Sequence, residues 1–200
     1  MVGLFIRIIS LNRRNIAIAS SIFLGGVVGG YFFVDKENEF VLKLLEQIAE
    51  IVTRIESNDS VIYTIFTIFL NNLKISILMI AIGALFLGIF PIISLIVNGL
   101  VIGFVLRMIA ISSENPLDFF LFGLLPHGII EIPAIIIAAA LGMHLGFSLI
   151  SRIGKYNKEF FLGLLRQTLV TVLGVTLLLL LAAILESTLT SYLLEKFANI

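Results

Sequence analysis

A histidine and a glutamate, His127 and Glu131, lie four residues apart in a very apolar stretch, LLPHGIIEIPAI, at residues 124–135. Residues with this spacing share one face of an α-helix, so the imidazole and the carboxylate would be neighbours. Such a pair can bind a proton, an ion or a substrate, or it can hold two helices together. Which of these chemistries applies depends first on the solvent that surrounds the stretch.

The composition indicates that this solvent is lipid. The 200 residues are 60% hydrophobic and 13% charged, whereas a soluble domain has about 45–50% apolar and about 25% charged residues. A globule of this length has too little interior to hide the excess. We therefore predict an all-α fold, a polytopic transmembrane helical bundle that forms one integral membrane domain over residues 1–200. The lipid bilayer is its first partner.

Apolar runs that approach or exceed the roughly 20 residues needed to cross a bilayer predict about five spans. Their predicted bounds are about 15–34, 63–90, 92–111, 126–150 and 167–186. Pro91 and the Ser94, Asn98, Gly99 cluster predict the turn between the second and third spans. Asn115 as a helix cap and Pro116 as the first helical residue predict a short interfacial helix over 116–124. Three spans with a re-entrant middle region are the alternative.

A strongly polar segment, residues 35–59, separates the first two spans. Its apolar residues recur at three- and four-residue spacing, which predicts an amphipathic extracytoplasmic helix at about 38–57. The wet face of this helix is acidic, unlike that of helices that bind anionic lipid. Its apolar face is predicted to pack on the rest of the protein, on the membrane interface, or on an extracytoplasmic protein partner.

The charge distribution predicts the orientation in the cell membrane. If the N-terminus is cytoplasmic, the inner segments contain one acid, Glu159, and a set of basic residues: Arg7, Arg13, Arg14, Arg152, Lys155, Lys158 and Arg166. The outer segments are then acidic. Because cytoplasmic loops carry the excess of lysine and arginine, a multi-pass protein with a cytoplasmic N-terminus and an extracytoplasmic C-terminus is predicted. An odd number of spans agrees with this.

Glu131 is the carboxylate that lies well within a span, roughly 8 Å below the outer end of its helix when counted from Pro126. A carboxylate at this depth is costly and needs a proton or a partner. Two interpretations stay open. Glu131 either locks two helices together by pairing with Arg107 or a helix N-terminus, or forms a proton, ion or substrate site with His127 and Arg107. The further polar candidates in the spans are Asn71, Asn72 and Asn98.

The sequence lacks the residues that several kinds of catalytic and metal site require. There is no cysteine, and the other histidine, His144, lies roughly 25 Å from His127 along a straight helix. A metal site at His127 and Glu131 therefore lacks its third ligand. Neither a G-x-S-x-G motif nor a P-loop occurs. The sequence predicts a protein that is not an enzyme, with no catalytic residue, metal, cofactor or nucleic-acid partner.

Glycines recur at four-residue spacing, which lets helix backbones approach closely. Gly128 lies between His127 and Glu131, where a side chain would block another helix. The spaced glycines are Gly25, Gly26, Gly29 and Gly30 in the first span, Gly99 and Gly103 in the third, and Gly142 and Gly146 in the fourth. Packing within one chain and a homodimer interface are both open interpretations of this pattern.

A family likeness is carried by the string P-H-G-x-x-E-x-P-A at residues 126–134, together with Asn71–Asn72 and Asn98–Gly99. These residues resemble the stage II sporulation protein M family of bacteria and archaea. The likeness covers residues 71 to about 150 well and the rest by span arrangement. The member from sporulating bacteria is similar to a scaffold that recruits peptidoglycan hydrolases to the septal membrane.

The resemblance implies a non-enzymatic membrane scaffold or assembly component. The alternative function is a transporter or channel component that uses Arg107, His127 and Glu131. A water-connected cavity at Glu131 would favour transport, whereas a dry and fully paired Glu131 would favour the scaffold.

Overall fold

The computed structural model describes residues 2–33, 60–111, 119–152 and 157–193, with single positions at 39, 42, 43, 46, 47, 50, 53, 117 and 196. Six helices form these ranges: α1 Val2–Leu11, α2 Arg13–Phe33, α3 Val61–Leu85, α4 Ile89–Ile111, α5 Leu125–Ile150 and α6 Lys158–Leu185. Two π-helical segments flank the last two of them, Phe119–Leu124 before α5 and Glu186–Thr190 after α6. A single helical turn, Ser191–Leu193, follows.

Five helical segments are long and apolar enough to cross a membrane. They are Arg13–Phe33, Val61–Leu85, Ile89–Ile111, Phe120–Ile150 and Lys158–Thr190. The outer face of α6 is the clearest example of an apolar surface on the outside of the bundle. A row of leucines along it is between 51% and 56% exposed: Leu162, Leu165, Leu169, Leu173, Leu177 and Leu181. Such a stripe is stable against lipid and not against water. The predicted all-α bundle with five spans is confirmed.

The centre of the bundle is α5, which contacts α2, α3, α4 and α6. Small residues make this possible: Ala134, Ala138 and Ala139 are completely buried. With no long side chains between them, neighbouring helices lie close to the α5 backbone. The bundle is therefore dense through its middle, where the buried residues are mainly apolar and include two polar ones, Ser76 and Thr171, each 1% exposed.

The turn between α3 and α4 lies at residues 86–88 and not at Pro91. Leu87 and Gly88 both have left-handed backbone conformations, with φ of 59° and 78°. Glycine adopts this region without steric cost. Pro91 lies in the first turn of α4, where its missing N–H is not needed, and Ser94 and Asn98 lie inside α4. The prediction placed the turn too late in the chain, because proline can begin a helix as readily as it can end one.

Helix α1 was not predicted. It packs on α6, where a Cβ atom on Gly174 would collide with the ring of Phe5. At the junction with α2, Asn12 is buried, and its side-chain nitrogen donates to the carbonyl of Ile8 at 3.0 Å. The N-terminal residues thus form a helix folded back against the bundle, where the sequence had indicated only a basic flank.

Two other predicted features lie at most partly within the described residues, and a third, the last span, begins at a different residue. The amphipathic helix at about 38–57 lies mostly outside them, as do Asn115 and Pro116. Of the predicted interfacial helix, the described portion is Leu117 and the π-helical segment Phe119–Leu124. The last span begins earlier than predicted, at Lys158, because the side chain of Asn157 caps the helix by accepting from the backbone N–H of Phe160 at 3.0 Å.

Candidate functional site

Three ionisable side chains meet at one end of the bundle: His127 and Glu131 of α5, and Glu186 directly after α6. One nitrogen or oxygen atom of each lies within 4.8 Å of the corresponding atoms of the other two. All three residues are half-buried. The structure thus assembles an imidazole and two carboxyl groups within the apolar spans, and we call this set the His–Glu–Glu cluster.

The antiparallel packing of α5 and α6 brings the cluster together. Thr171, near the middle of α6, lines a small cavity with Ile137 and Leu141 of α5. Further along α6 the neighbours lie earlier on α5, until Glu186 is level with Glu131. His127 joins them because it lies one helical turn before Glu131 on the same face.

Two neutral polar residues hold the cluster from outside. The Asn72 side chain of α3 donates a hydrogen bond to the carboxyl group of Glu131. The hydroxyl oxygen of Thr190 lies 3.3 Å from Nδ1 of His127, and Thr190 itself is only 4% exposed. Helices α3 and α5 and the segment after α6 therefore all contribute polar groups to the site.

Two polar residues of the π-helical segment Glu186–Thr190, its first and its last, lie at the cluster. They are four residues apart, a spacing that keeps two side chains on the same side of a helical segment. The other π-helical segment, Phe119–Leu124, ends just before α5 and contacts the first one. Such segments are rare and occur frequently at functional sites.

Arg107 contacts the end of α2. It is on α4, and its Nη1 donates to the carbonyl oxygen of Phe32 on α2 at 3.3 Å. The described partners of Glu131 include Asn72 and Glu186. The pairing of Glu131 with Arg107 stays a prediction.

The remaining polar candidates are dispersed. Asn98 donates to the carbonyl of Ser94 at 2.8 Å and is thus bound within its own helix. Asn71 is half-buried on α3 beside Asn72. A Cβ atom on Gly128 would meet only Ile132 and Leu124, at 3.5 and 3.9 Å. These are ordinary contacts, so the approach of another helix does not require glycine at position 128.

Most of the spaced glycines pack within the chain. A Cβ atom on Gly26 would lie 2.7 Å from the carbonyl oxygen of Ile96, and one on Gly29 would lie 3.4 Å from a methyl carbon of Leu100, whereas one on Gly25 would meet nothing within 4 Å. Backbone atoms of a neighbouring helix or turn would also block a Cβ atom at several others: Gly30, Gly99, Gly103, Gly142 and Gly146. Intramolecular packing therefore accounts for the glycine pairs of α4 and α5 and for half of those in α2.

The second histidine belongs to a separate contact near the opposite end of the bundle. Nδ1 of His144 lies 3.4 Å from the side-chain nitrogen of Asn15, and Nε2 lies 3.5 Å from the hydroxyl of Ser148. Between His144 and the His–Glu–Glu cluster, the buried residues include Ala138, Leu179 and Val175, each at most 1% exposed. A closely packed apolar layer thus separates the two histidines.

Glu186 is the functional candidate that sequence reasoning missed. It ends the last apolar run and was counted with the acidic outer segments. The order of the spans could have identified it. Consecutive spans run in opposite directions, so the start of one span lies beside the end of the next. A third side chain of a kind that binds metals is brought beside His127 and Glu131 in this way.

The fold and the cluster define a class, the polytopic helical membrane proteins with an ionisable site inside the bundle. Within that class, the chain belongs to the stage II sporulation protein M family, whose sequence profile matches residues 19–191. The family resemblance read from residues 71–150 is confirmed.

Two uncharacterised proteins of Methanocaldococcus jannaschii are similar to this chain. One is 38% identical over 81 residues, which is 40% of this chain and 44% of the relative. The other is 31% identical over 140 residues, 68% of this chain and 60% of the relative. The chain thus spans 44% and 60% of the lengths of these two relatives. No solved structure matches the chain.

Proposed function

We propose that the protein is a non-enzymatic scaffold or assembly component of the cell membrane, with a cytoplasmic N-terminus and an extracytoplasmic C-terminus. The observation that carries this proposal is the closely packed and mainly apolar layer across the middle of the described bundle, whose buried polar residues include Ser76 and Thr171. A transporter needs polar groups or water along its path through the lipid, whereas a scaffold needs only a stable body that holds its outer segments in place.

Close backbone packing supports the rigid body that a scaffold requires. Gly26 and Gly30 of α2 face Ile96 and Leu100 of α4. Gly83 of α3 and Gly142 of α5 make an equivalent contact. Helices that interlock through their backbones have little freedom to slide or rock, because any displacement brings main-chain atoms into collision.

The polar segment between the first two spans is the surface that we assign to a partner. Residues 35–59 hold most of the acidic residues of the outer side. Two consecutive spans anchor the segment at both ends, so a protein that binds it is held at the membrane. An extracytoplasmic partner with a basic surface fits this segment by charge complementarity.

A second candidate function is cation-coupled transport, and the His–Glu–Glu cluster is the observation that favours it. Ionisable groups inside a bundle often mark proton or ion pathways. The cluster lies near one end, however, and the apolar layer follows it. Transport would require α5 and α6 to separate in that layer during the cycle.

The two functions are distinguished by a flux assay and a crosslinking assay on the full chain. Proteoliposomes that contain the protein should show no more proton or metal-ion flux than empty liposomes. Photoreactive residues at Glu39, Glu46 or Glu50 should crosslink one discrete protein in native cells. The same label at Leu173, on the lipid face of α6, serves as the matched control and should crosslink no protein.

The glutamine variant of the buried carboxylate completes the design. Glu131→Gln should leave the crosslink from residue 46 unchanged if the protein is a scaffold. Protein-dependent flux that Glu131→Gln abolishes would establish the transport function instead. Absence of a discrete crosslink from all three positions would contradict the assignment of the partner surface.

A further inference from the structure

We propose that His127, Glu131 and Glu186 bind a divalent transition-metal ion with the size and ligand preference of Zn²⁺. This inference goes beyond the scaffold function, which does not require a metal. It rests on the geometry of the three side chains, on their chemistry, and on the two neutral residues that orient them.

The geometry of the cluster fits a metal after small movements. Three atoms within 4.8 Å of one another share a point that is at most about 2.8 Å from each. Bonds from Zn²⁺ to nitrogen or carboxylate oxygen are about 2.0–2.2 Å long. Each side chain would therefore shift by less than about 1 Å, which side-chain torsions accommodate without moving the helices.

The ligand set is also of the appropriate kind. One imidazole nitrogen and two carboxylate oxygens are donors that Zn²⁺ accepts, and three protein ligands with an open fourth position are typical of reactive zinc sites. Two carboxylates this close repel each other in an apolar environment. One divalent cation neutralises both of them at once, whereas protonation requires a separate proton for each.

The residues around the cluster resemble the outer shell of a metal site. Ligand histidines usually engage their second ring nitrogen with a protein group, which fixes the ring. Thr190 lies 3.3 Å from Nδ1 of His127, which is the kind of contact that holds a histidine ring in place. Asn72 donates to the Glu131 carboxyl group in a comparable way. All three ligands are half-buried and lie near one end of the bundle.

His144 provides an internal contrast. Its neighbours within hydrogen-bonding distance are Asn15 and Ser148, and neither offers a carboxylate. Its ring joins α5 to α2 in a contact that needs no metal. A histidine within the same helix thus serves as a matched control for His127.

The test is metal binding by the purified full chain in detergent after treatment with a chelator and removal of the chelator. Isothermal titration with Zn²⁺ should give one site per chain, and Co²⁺ should give the visible absorption of a site with few ligands. His127→Gln, Glu131→Gln and Glu186→Gln should each weaken binding at least 100-fold. Asn72→Ala and Thr190→Val should weaken it 10- to 100-fold.

Two matched controls keep the result specific. His144→Gln removes the other histidine, and Glu159→Gln removes an exposed carboxylate from the first turn of α6. Both should bind Zn²⁺ as the unchanged protein does. Size-exclusion profiles and helical circular dichroism identify any variant that fails to fold.

X-ray absorption at the zinc edge keeps the proposal testable on the unchanged protein. It should show one imidazole and otherwise oxygen ligands. No binding by the unchanged chain, binding that survives both Glu131→Gln and Glu186→Gln, or a first shell without imidazole would each overturn the proposal. The flux and crosslinking results do not depend on these outcomes, so the scaffold proposal fails or stands separately.

Discussion

Replacement of Gly26 by alanine tests the helix packing that makes the bundle rigid. The new Cβ atom would lie 2.7 Å from the carbonyl oxygen of Ile96 and 3.2 Å from Cα of Gly99. Both neighbours are backbone atoms, so no side-chain rotation can relieve the contact. Helices α2 and α4 must move apart.

The size of the effect follows from that separation. Carbon and oxygen atoms in contact lie about 3.3 Å apart or more, so the helices must separate locally by about 0.6 Å. A gap of about 0.5–1 Å removes a quarter to a half of the dispersion energy of the atom pairs it separates. Overpacking of this kind costs about 1–3 kcal/mol. We expect a loss of that size for Gly26→Ala.

Gly25→Ala is the matched control, since it lies one residue earlier on the same helix and its Cβ atom would meet nothing within 4 Å. The two variants change helix propensity equally, so their difference isolates the contact with α4. About 1 kcal/mol corresponds to a shift in melting temperature of about 2–4 °C for a chain of this size. Thermal unfolding in detergent, followed by circular dichroism, should place Gly26→Ala at least about 2 °C below Gly25→Ala. Equal melting temperatures would refute the close packing of α2 on α4.

Three further predictions concern topology, assembly and the Asn72–Glu131 hydrogen bond. Because the chain has no cysteine, an impermeant thiol reagent can report orientation from single cysteine variants: we expect labelling in intact cells at positions 38, 115 and 199 and none at 157, and labelling at 157 would contradict the orientation. If a homodimer forms through the outer face of α2, Gly25→Leu should convert a dimer to a monomer by light scattering, whereas an unchanged mass would exclude that interface. Asn72→Ala should destabilise the fold by about 1–3 kcal/mol because it leaves the Glu131 carboxyl group without its donor. The double variant with Glu131→Gln should lose less stability than the sum of the two single variants. Strictly additive losses would show that the pair does not interact.

The glycine faces of α2 show that the sequence predicts close helix packing but does not identify the packing partner. Four-residue spacing predicted that glycines of α2 mediate close packing, and it left the partner open. In the structure, Gly26 and Gly30 face α4, while Gly25 lies on the exposed side. Periodicity reports that two faces exist, but which face meets a helix of the same chain depends on how five spans pack together.

The sequence by itself determined the class of the protein, the number of its spans and its family. Each apolar run satisfies its own backbone hydrogen bonds as a helix in lipid, so its existence depends only on local composition. The string P-H-G-x-x-E-x-P-A likewise lies within one helix. Because His127 and Glu131 are one turn apart, their proximity follows from helix geometry alone.

Only the tertiary structure decided the partners of that pair. Glu186 lies 55 residues after Glu131 in the chain, Asn72 lies on a different helix, and Arg107 contacts the end of α2. The rotation of each helix about its axis decides which side chains meet, and small residues such as Ala138 and Gly142 set that rotation by allowing close contact. A one-dimensional pattern gives depth in the membrane to within a turn, but it does not give this rotation, because the rotation is a property of all the helices packed together.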